Sequence, residues 1–247
     1  MDLFDDTDST PLPFRLPAQK GYKSDWSKDL SGYCIAVPNG RLFYSERFFS
    51  KKISDRCVEY FQENTNFDWH QARWDEVPDI IDINFQNIKW KQDSINLYGK
   101  SLPLPRLTSW YGDKGRKYTY SGITSKPNQW NDGLLYLKKE IEQRLGVRFN
   151  SVLLNWYRNG DDYLNWHSDD EKELGRNPII ASANFGEARD FVLRRKNEKS
   201  QKLVIPLNHG TLLLMSGELQ HYWEHAVPKR KKVSGSRFNL TFRKIHP

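Results

Sequence analysis

Short apolar or alternating runs recur along the chain from residue 151 onward, and they constrain its fold more than any other feature. Seven such runs are separated by Gly, Asn, Asp or Pro, at 152–157, 179–185, 191–194, 203–207, 211–215, 221–227 and 237–243. Several short strands at near-regular spacing are typical of a sandwich, a barrel or a jelly roll. Asn159-Gly160, directly after the first run, is typical of a hairpin turn.

Two helices are predicted ahead of these runs. Ser50 is a candidate N-cap for the first helix. Its apolar residues recur at helical spacing: Ile53, Cys57, Val58 and Phe61. The second helix is predicted over 129–145, and Gly146 suits the position just past its end. Its apolar stripe consists of Leu134, Leu137, Ile141 and Leu145. Helices that cover one sheet of a strand-rich domain predict an α+β class that is mainly β.

The first 40 residues differ in composition from the rest. Pro and Gly are scattered through 1–40 without a sustained period, so we expect an N-terminal extension that forms a loose or draped arm. The main domain is then predicted over 41–247, which is long enough to bury a sizeable core.

The chain carries a net charge of +7. A basic balance favours polyanionic partners, nucleic acid or an anionic membrane surface, although it also serves solubility. No apolar run approaches the about 18 residues that span a membrane, and the acidic N-terminus does not resemble a signal peptide. Two Cys give no disulfide framework, so we expect an intracellular protein, in the cytoplasm of a bacterium or the nucleus of a eukaryote.

The stretch 166–171 carries the first sign of a metal site. Side chains alternate along a strand, so His167 and Asp169 share one face and can chelate one divalent cation. A second imidazole from a distant strand would complete a 2-His-1-carboxylate facial triad, the arrangement of Fe(II) oxygenases. His225 and its rival His221 lie in one predicted strand. The alternative is a surface histidine beside an acidic run.

The run 237–243 alternates strictly between apolar and polar residues. Its apolar members, which predict a core-facing side, are Phe238, Leu240 and Phe242. Its polar members are Arg237, Asn239, Thr241 and Arg243. Two inward-facing Arg would need anionic partners, because an unpaired buried charge is costly, and a small dicarboxylate would supply them. The alternative is a polar face turned to solvent.

Together these residues resemble the AlkB family of Fe(II)/2-oxoglutarate dioxygenases, most closely its duplex-DNA repair branch. The resemblance runs from about residue 105 to 245, and its most specific part is the ending Arg237-x-Asn239-Leu240-Thr241-Phe242-Arg243. The other matching pieces are Pro105-Arg106, Tyr111-Gly112-Asp113, Tyr118-Thr119-Tyr120-Ser121-Gly122, Asn155-x-Tyr157, His167-x-Asp169-Asp170-Glu171, Ser182-x-x-Phe185-Gly186, Arg189-Asp190-Phe191, His209-Gly210 and His225-x-x-Pro228. Ser168 departs from the pattern, since the duplex-repair relatives commonly have Arg or another long residue there.

The resemblance implies a double-stranded β-helix, or jelly roll, with N-terminal supporting helices. It also implies Fe(II), with 2-oxoglutarate and O₂ as cosubstrates. The implied iron ligands, and therefore the catalytic residues, are His167, Asp169 and His225. The implied 2-oxoglutarate-binding residues are the carboxylate clamps Arg237 and Arg243 with the supporting Asn155, Tyr157, Asn239 and Thr241. The implied substrate-binding residues are Tyr98, Gly99, Lys100, Tyr118, Thr119, Tyr120, Asp170 and Glu171.

Three of these substrate features have specific implied roles. Tyr118 and Tyr120 resemble aromatics of a nucleotide-recognition lid at about 95–125, or are ordinary strand residues. Tyr98 occupies the position of a hairpin finger that fills the gap left by a flipped base, or is a surface Tyr at a strand end. Asp170 and Glu171 resemble polar readers of the base edge, or form a solvated acidic face.

The implied function is direct reversal of alkylation damage in DNA. Hydroxylation of the methyl group of 1-methyladenine or 3-methylcytosine would release formaldehyde, with succinate and CO₂ from the cosubstrate. Basic runs at 229–232 and 194–196 are expected to contact phosphates. The alternatives are an RNA or protein demethylase on the same scaffold and a catalytically silent nucleic-acid-binding module. We expect DNA, with RNA as the alternative, as partner, no membrane association and a monomer.

Overall fold

The computed structural model describes residues 11–62, 88–97, 100–114, 118–120 and 123–246. The strands are β1 Lys23–Ser27, β2 Gly32–Val37, β3 Gly40–Ser45, β4 Ser94–Leu97, β5 Lys100–Pro103, β6 Leu107–Gly112, β7 Tyr118–Tyr120, β8 Ile123–Ser125, β9 Ser151–Tyr157, β10 Leu164–His167, β11 Ile180–Gly186, β12 Arg189–Arg195, β13 Lys202–Leu207, β14 Leu212–Ser216, β15 Trp223–Val227 and β16 Arg237–Arg243. The helices are α1 Lys51–Phe61, α2 Asp132–Leu145 and the short α3 Leu219–Tyr222, and a single 3-10 turn covers Lys172–Leu174.

Two antiparallel sheets form the body of the molecule. The larger has eight strands in the order β1-β2-β3-β14-β11-β16-β9-β6, and the smaller has four in the order β10-β15-β12-β13. Two hairpins stand apart from them, β4 with β5 and β7 with β8. The two sheets and the few helices confirm the predicted mainly β, jelly-roll class.

Strand β16 shows how the sequence pattern places the site. Phe238, Leu240 and Phe242 are buried in a core cluster that also contains residues of α1 and α2. The polar residues between them point to the opposite side of the larger sheet and line a cavity. The predicted alternation is therefore confirmed, and the helices cover the face of the sheet that does not carry the polar residues.

Both predicted helices are present. The Ser50 side chain accepts a hydrogen bond from the Ile53 N–H at 3.3 Å, which confirms the N-cap of α1. Helix α2 begins three residues later than predicted, because the Asn131 side chain caps it by accepting from the Leu134 N–H at 2.9 Å. Gly146 ends α2 in the left-handed conformation, with φ of 65°. Among the described residues no helix is long and apolar enough to cross a membrane.

The prediction of a loose arm is wrong for residues 23–37. They form β1 and β2, and β2 pairs with β3 along its length. Tyr33, Ile35 and Val37 are buried in a second core cluster. Their alternation spans only five residues between turn-forming residues, and its partner strand lies elsewhere in the chain, so the pattern was too short to identify by itself. The proposed domain limits of 1–40 and 41–247 stay a prediction.

Two local predictions are also wrong. The strand predicted over 221–227 begins only at Trp223, and His221 lies on α3. Asn159-Gly160 is not a hairpin turn, since β9 and β10 belong to different sheets. The turn is instead fastened to a distant loop, because the Gly160 N–H donates to the Val233 carbonyl at 2.7 Å and its carbonyl accepts from the Arg230 N–H at 2.8 Å.

Candidate functional site

A cavity lies between the inner faces of the two sheets. Strands β9 and β16 of the larger sheet supply most of its polar lining, and β10 and β15 of the smaller sheet supply two histidines. All nine residues predicted for the metal and 2-oxoglutarate sites line it: Asn155, Tyr157, His167, Asp169, His225, Arg237, Asn239, Thr241 and Arg243. The face-by-face alternation of the strands therefore brings together residues that are up to 88 positions apart (155 to 243).

His167, Asp169 and His225 form the facial triad. Each offers one ligand atom, and these atoms all lie within 4.8 Å of one another. His167 and His225 are direct cross-strand partners of β10 and β15, with ring centroids 4.2 Å apart. Each imidazole Nε2 lies 3.9 Å from a carboxylate oxygen of Asp169. Two imidazoles and one carboxylate at this spacing suit a divalent metal with open coordination positions.

The ionisation of the triad also suits a metal. Burial alone would raise the pKa of Asp169, but the positive charge of Arg243, the two histidines and the Arg243 hydrogen bond outweigh it and hold the pKa at about 2. Burial, followed by the neighbouring His167, lowers the pKa of His225 to about 3. Burial also lowers the pKa of His167. Near neutral pH the site therefore offers one carboxylate and two neutral imidazoles, the forms in which these groups bind metals.

Hydrogen bonds hold the triad in place. The Asp169 N–H donates to Gln220 Oε1 at 3.0 Å, and Arg243 Nη2 donates to Asp169 Oδ1 at 2.8 Å. His167 Nδ1 lies 2.9 Å from the Asn165 carbonyl, so Nδ1 carries the proton and Nε2 is free to bind a metal. The ring of Phe191 packs against His225 with centroids 4.9 Å apart.

Arg237 forms the other end of the polar lining. It is only 1% exposed, and burial lowers its pKa to about 10. Its Nη2 donates to Asn184 Oδ1 at 2.6 Å, and its guanidinium carbon lies 4.9 Å from the ring centre of Tyr157. Its Nε and Nη1 have no hydrogen-bond partner within the described part of the chain. A buried guanidinium with two donors to spare fits a carboxylate, which is what a dicarboxylic cosubstrate supplies.

The supporting amides and hydroxyl form one connected network. Thr241 Oγ1 donates to Asn239 Oδ1 at 3.0 Å, and Asn239 Nδ2 donates to Ser182 Oγ at 2.8 Å. Arg106 Nε donates to Asn155 Oδ1 at 2.8 Å. Because these side chains are locked by each other, the polar lining is pre-organised for a ligand.

Of the residues predicted to bind the substrate, Asp170 and Glu171 are not among the lining residues of this cavity. Asp170 is exposed and accepts from Lys196 Nζ at 3.1 Å, and Glu171 follows it directly in the chain. Tyr118, Thr119 and Tyr120 form β7, and Lys100 begins β5. Tyr98 and Gly99 lie outside the described residues. These eight roles stay predictions.

His221, the rival ligand, is directed elsewhere. Its Nε2 contacts the Arg176 carbonyl and lies 3.1 Å from Asn177 Oδ1. It is exposed, and it does not belong to the cluster of possible ligands within the described residues. His221 lies on α3 and not on the strand that was predicted there, so its side chain does not share the inward face of β15.

Sequence reasoning did not assign roles to three buried residues that support the site. Gln220 holds the backbone of Asp169, Arg106 holds Asn155, and Asn184 holds Arg237. Pro105-Arg106 is one of the motifs that resemble the AlkB family, and this resemblance could have identified Arg106 as a functional residue. Gln220 and Asn184 carried none, because a single amide in a short helix or a buried strand has no pattern of its own.

The comparisons with known proteins agree with this geometry. The family model described as the 2OG-Fe(II) oxygenase superfamily matches residues 44–243. Over 181 residues the chain is 44% identical to alpha-ketoglutarate-dependent dioxygenase alkB homolog 3 of Bos taurus, covering 70% of this chain and 63% of the relative. It is 43% identical over 221 residues to the protein of the same name from Homo sapiens, with 85% and 75% covered. It is 40% identical over 182 residues to DNA oxidative demethylase ALKBH2 of Homo sapiens, with 71% and 70% covered.

Proposed function

The chain belongs to the AlkB family of 2OG-Fe(II) oxygenases, and from this premise we propose that it oxidatively removes methyl groups from damaged nucleic acid bases. The expected lesions are those of the 1-methyladenine and 3-methylcytosine type. Relatives that cover most of this chain are named as an alpha-ketoglutarate-dependent dioxygenase and a DNA oxidative demethylase. The matched part of the chain spans 63% of the length of the Bos taurus relative.

One observation carries the proposal. The facial triad and the guanidinium of Arg237, which has two unused donors, line the same cavity between the sheets. A metal centre alone would fit many enzymes, and a buried Arg alone could be structural. A metal centre beside a buried receptor for a carboxylate is what a reaction with a keto-acid cosubstrate needs.

Each part of the lining has a proposed task. His167, Asp169 and His225 bind Fe(II), and Arg237 and Arg243 bind the carboxylates of 2-oxoglutarate. Fe(II), when bound, would activate O₂ as the oxidant with two electrons from 2-oxoglutarate, and so supply the chemistry that hydroxylates an inert methyl C–H bond. The network around Asn239 would fix the orientation of the cosubstrate.

The overall reaction balances without a further reductant. The methylated base, O₂ and 2-oxoglutarate give the hydroxymethyl base, succinate and CO₂, and the two electrons come from the decarboxylation. The hydroxymethyl group on a ring nitrogen then leaves as formaldehyde. The protein therefore needs no acid or base strong enough to remove the methyl group directly.

The target base must be unpaired when it reaches the cavity, because its methyl group lies inside a base pair in duplex nucleic acid. We propose that Tyr118 and Tyr120 stack on the flipped base, whose positive charge favours aromatic faces. Thr119, Asp170 and Glu171 are proposed to contact its polar edge. We propose DNA as the substrate, because the name of one relative specifies it, and RNA as the alternative.

Mass spectrometry of matched DNA and RNA oligonucleotides carrying 1-methyladenine or 3-methylcytosine tests the function. We expect loss of the methyl mass only when Fe(II) and 2-oxoglutarate are both present, with one succinate formed per methyl group lost. Asp169→Ala is the inactive control. The proposal would be contradicted if neither the DNA nor the RNA oligonucleotides lost their methyl groups and no succinate were formed with either of them. Faster loss from RNA than from DNA would select the alternative.

We also propose that the protein acts as a monomer, since every residue assigned to the iron and cosubstrate comes from one chain. Light scattering of the purified protein at assay concentration checks this, and a dimer mass would contradict it. The intracellular location stays a prediction from the sequence.

A further inference from the structure

A second cavity lies on the outer face of the smaller sheet, the face that does not carry the triad. Its volume is about 320 Å³, and Tyr163, Trp166 and Lys229 form its walls. Side chains of β10 alternate between the two faces, so His167 points inward to the triad while Trp166 points outward to this groove. The catalytic cavity and the outer groove therefore share β10 and β15.

The base of the groove is apolar. Val192 and Ala226, cross-strand partners on β12 and β15, lie beneath it. Val204 on the neighbouring β13 pairs with Val192 and is 43% exposed. The groove thus presents an aromatic and aliphatic surface to a ligand rather than a row of hydrogen-bonding groups.

Cations border the groove. The ammonium of Lys229 lies 4.8 Å from the ring centre of Tyr163, and the guanidinium of Arg194 lies 3.7 Å from that of Trp166. Lys202 lies 6.0 Å from the Trp166 ring. Arg194 is neutralised by Glu224 at 2.5 Å, but Lys202 and Lys229 form no ion pair with any residue in the described ranges. The face therefore keeps excess positive charge beside aromatic rings.

We propose that this groove binds single-stranded nucleic acid that flanks the target base. A base stacks in the groove against Tyr163 and Trp166, and phosphates contact Lys229 and Lys202. Aromatic rings interleaved with unpaired cations are the general means of binding a single strand without reading its sequence. The carboxylates of an acidic peptide could pair with the lysines. Such a peptide has no base to stack on the aromatic and aliphatic surface.

The position of the groove suits this role. β10 is an edge strand of the smaller sheet, so a strand leaving the catalytic cavity can pass around β10 to the outer face. The inference rests on the proposed function, because it assigns to the groove the part of the substrate that the catalytic cavity does not hold. It predicts that the protein prefers longer substrates.

Binding of an unmodified, fluorescein-labelled oligothymidylate of about 16 nucleotides, followed by anisotropy with iron-free protein, tests the groove without any chemistry. The double variant Tyr163→Ala, Lys229→Ala is expected to bind at least about tenfold more weakly. The matched control is Leu135→Ala, Lys139→Ala, which removes an exposed apolar residue and a lysine from α2, on the helix-covered side of the larger sheet. It is expected to bind as the unmodified protein does.

A charge-reversal variant keeps the test valid if the double variant does not fold. Lys202→Glu, Lys229→Glu leaves both rings in place, and it is expected to weaken binding and to reduce its salt dependence. Wild-type affinity in both groove variants would overturn the proposal. So would preferential binding of a polyglutamate peptide, which would identify a protein-binding site.

Turnover separates this inference from the proposed function. The groove variants are expected to lose activity on a methylated 16-nucleotide substrate while retaining it on a methylated trinucleotide, which is too short to reach the groove. If the wild-type protein demethylates neither substrate, the proposed function fails, and the anisotropy result still decides whether the groove binds a single strand. Equal losses on both lengths would overturn the groove proposal alone.

Discussion

His167 and His225 face each other across β10 and β15, and Asp169 follows two positions after the end of β10, so each ligand has a separate backbone support. We expect His167→Ala, Asp169→Ala and His225→Ala each to abolish turnover and to lower the iron content of the purified protein. Metal analysis by mass spectrometry and the succinate assay measure the two effects.

His221→Ala is the matched control for these variants, because it removes an imidazole that contacts Arg176 and Asn177 rather than the triad. It should retain most of the turnover and all of the iron. Loss of iron in His221→Ala, or full activity in His225→Ala, would show that the wrong histidine had been assigned.

Substitutions of the two arginines of β16 are expected to differ in their effects on iron binding. Arg243→Ala should raise the 2-oxoglutarate requirement at least about tenfold, since a hydrogen bond to a charged group contributes about 1.5–3 kcal/mol. It should also weaken iron binding, because Arg243 holds the carboxylate of Asp169. Arg237→Lys should raise the 2-oxoglutarate KM without loss of iron, because lysine cannot reproduce the planar fork.

Steady-state kinetics and metal content, measured on the same preparations, check this pair. An unchanged 2-oxoglutarate KM in both variants would mean that these arginines serve the structure or the nucleic acid instead.

The alternation of β16 predicted that Arg237 and Arg243 share a face, whereas the roles of the metal and cosubstrate residues came from the resemblance to the AlkB family. His167 and Asp169 were expected on one face of a strand, but β10 ends at His167, so Asp169 is placed by the turn that follows it. Gln220 could not be predicted, because its role depends on the distance between α3 and the turn after β10. That distance is a property of the assembled sheets and leaves no mark in the local sequence.

At the scale of elements, the β4–β5 hairpin lies within residues 95–125, the range predicted to form a nucleotide-recognition lid, and its predicted role can be tested. Leu97 pairs with Lys100, so the two strands are joined through Tyr98 and Gly99. We expect Tyr98→Ala to lose activity selectively on double-stranded substrate, because an inserted ring would replace stacking lost on base flipping, and a single strand has no stack to refill.

Assays on matched single- and double-stranded oligonucleotides measure this effect. Leu102→Ala, which truncates an exposed side chain on β5 of the same hairpin, is the control and should leave the strand preference unchanged. Equal losses on both substrates in Tyr98→Ala, or none on either, would remove the finger role.

Elements whose own residues show a full alternating or helical pattern were predicted well. Elements whose structure depends on a contact with a part of the chain far away in sequence were not. β16 was predicted with its observed limits, since it alternates over seven residues. The segment around His221 was predicted as the beginning of a strand over 221–227. It forms α3 instead, where Gln220 reaches the backbone of Asp169. A tertiary contact thus overrode a weak local preference.

At the scale of the whole molecule, β1 and β2 extend the larger sheet and are part of its core. Ile35→Ala is expected to lower the free energy of unfolding by about 2–5 kcal/mol, because it empties a buried position. Cys34→Ala, one residue away on the exposed face, should change it by less than about 0.5 kcal/mol. Denaturant unfolding of both variants makes the comparison, and similar small effects would support the loose arm predicted from sequence.

The order of strands could not be predicted from the sequence. β3 pairs with β14, and β16 lies between β9 and β11, so neighbours in the larger sheet are separated by long stretches of chain. Periodicity indicates which residues form strands and which faces are buried, but it does not indicate which strands are paired. The mainly β class was therefore predictable, whereas the arrangement that joins β2 to the sheet was not.

The position of β10 at the edge of the smaller sheet has a consequence for the kinetics of metal exchange. Among the described strands its backbone is paired only with β15, and the register shifts between its two paired positions. Edge-strand amides open to solvent more readily than central ones. A metal bound by His167 and His225 would tie this strand to its neighbour, so deuterium uptake at 164–167 should slow when redox-silent Zn(II) is added, but not in Asp169→Ala. Bound iron would therefore stabilise β10 as a second neighbouring strand does for a central strand. Release of the metal should begin with local opening of β10.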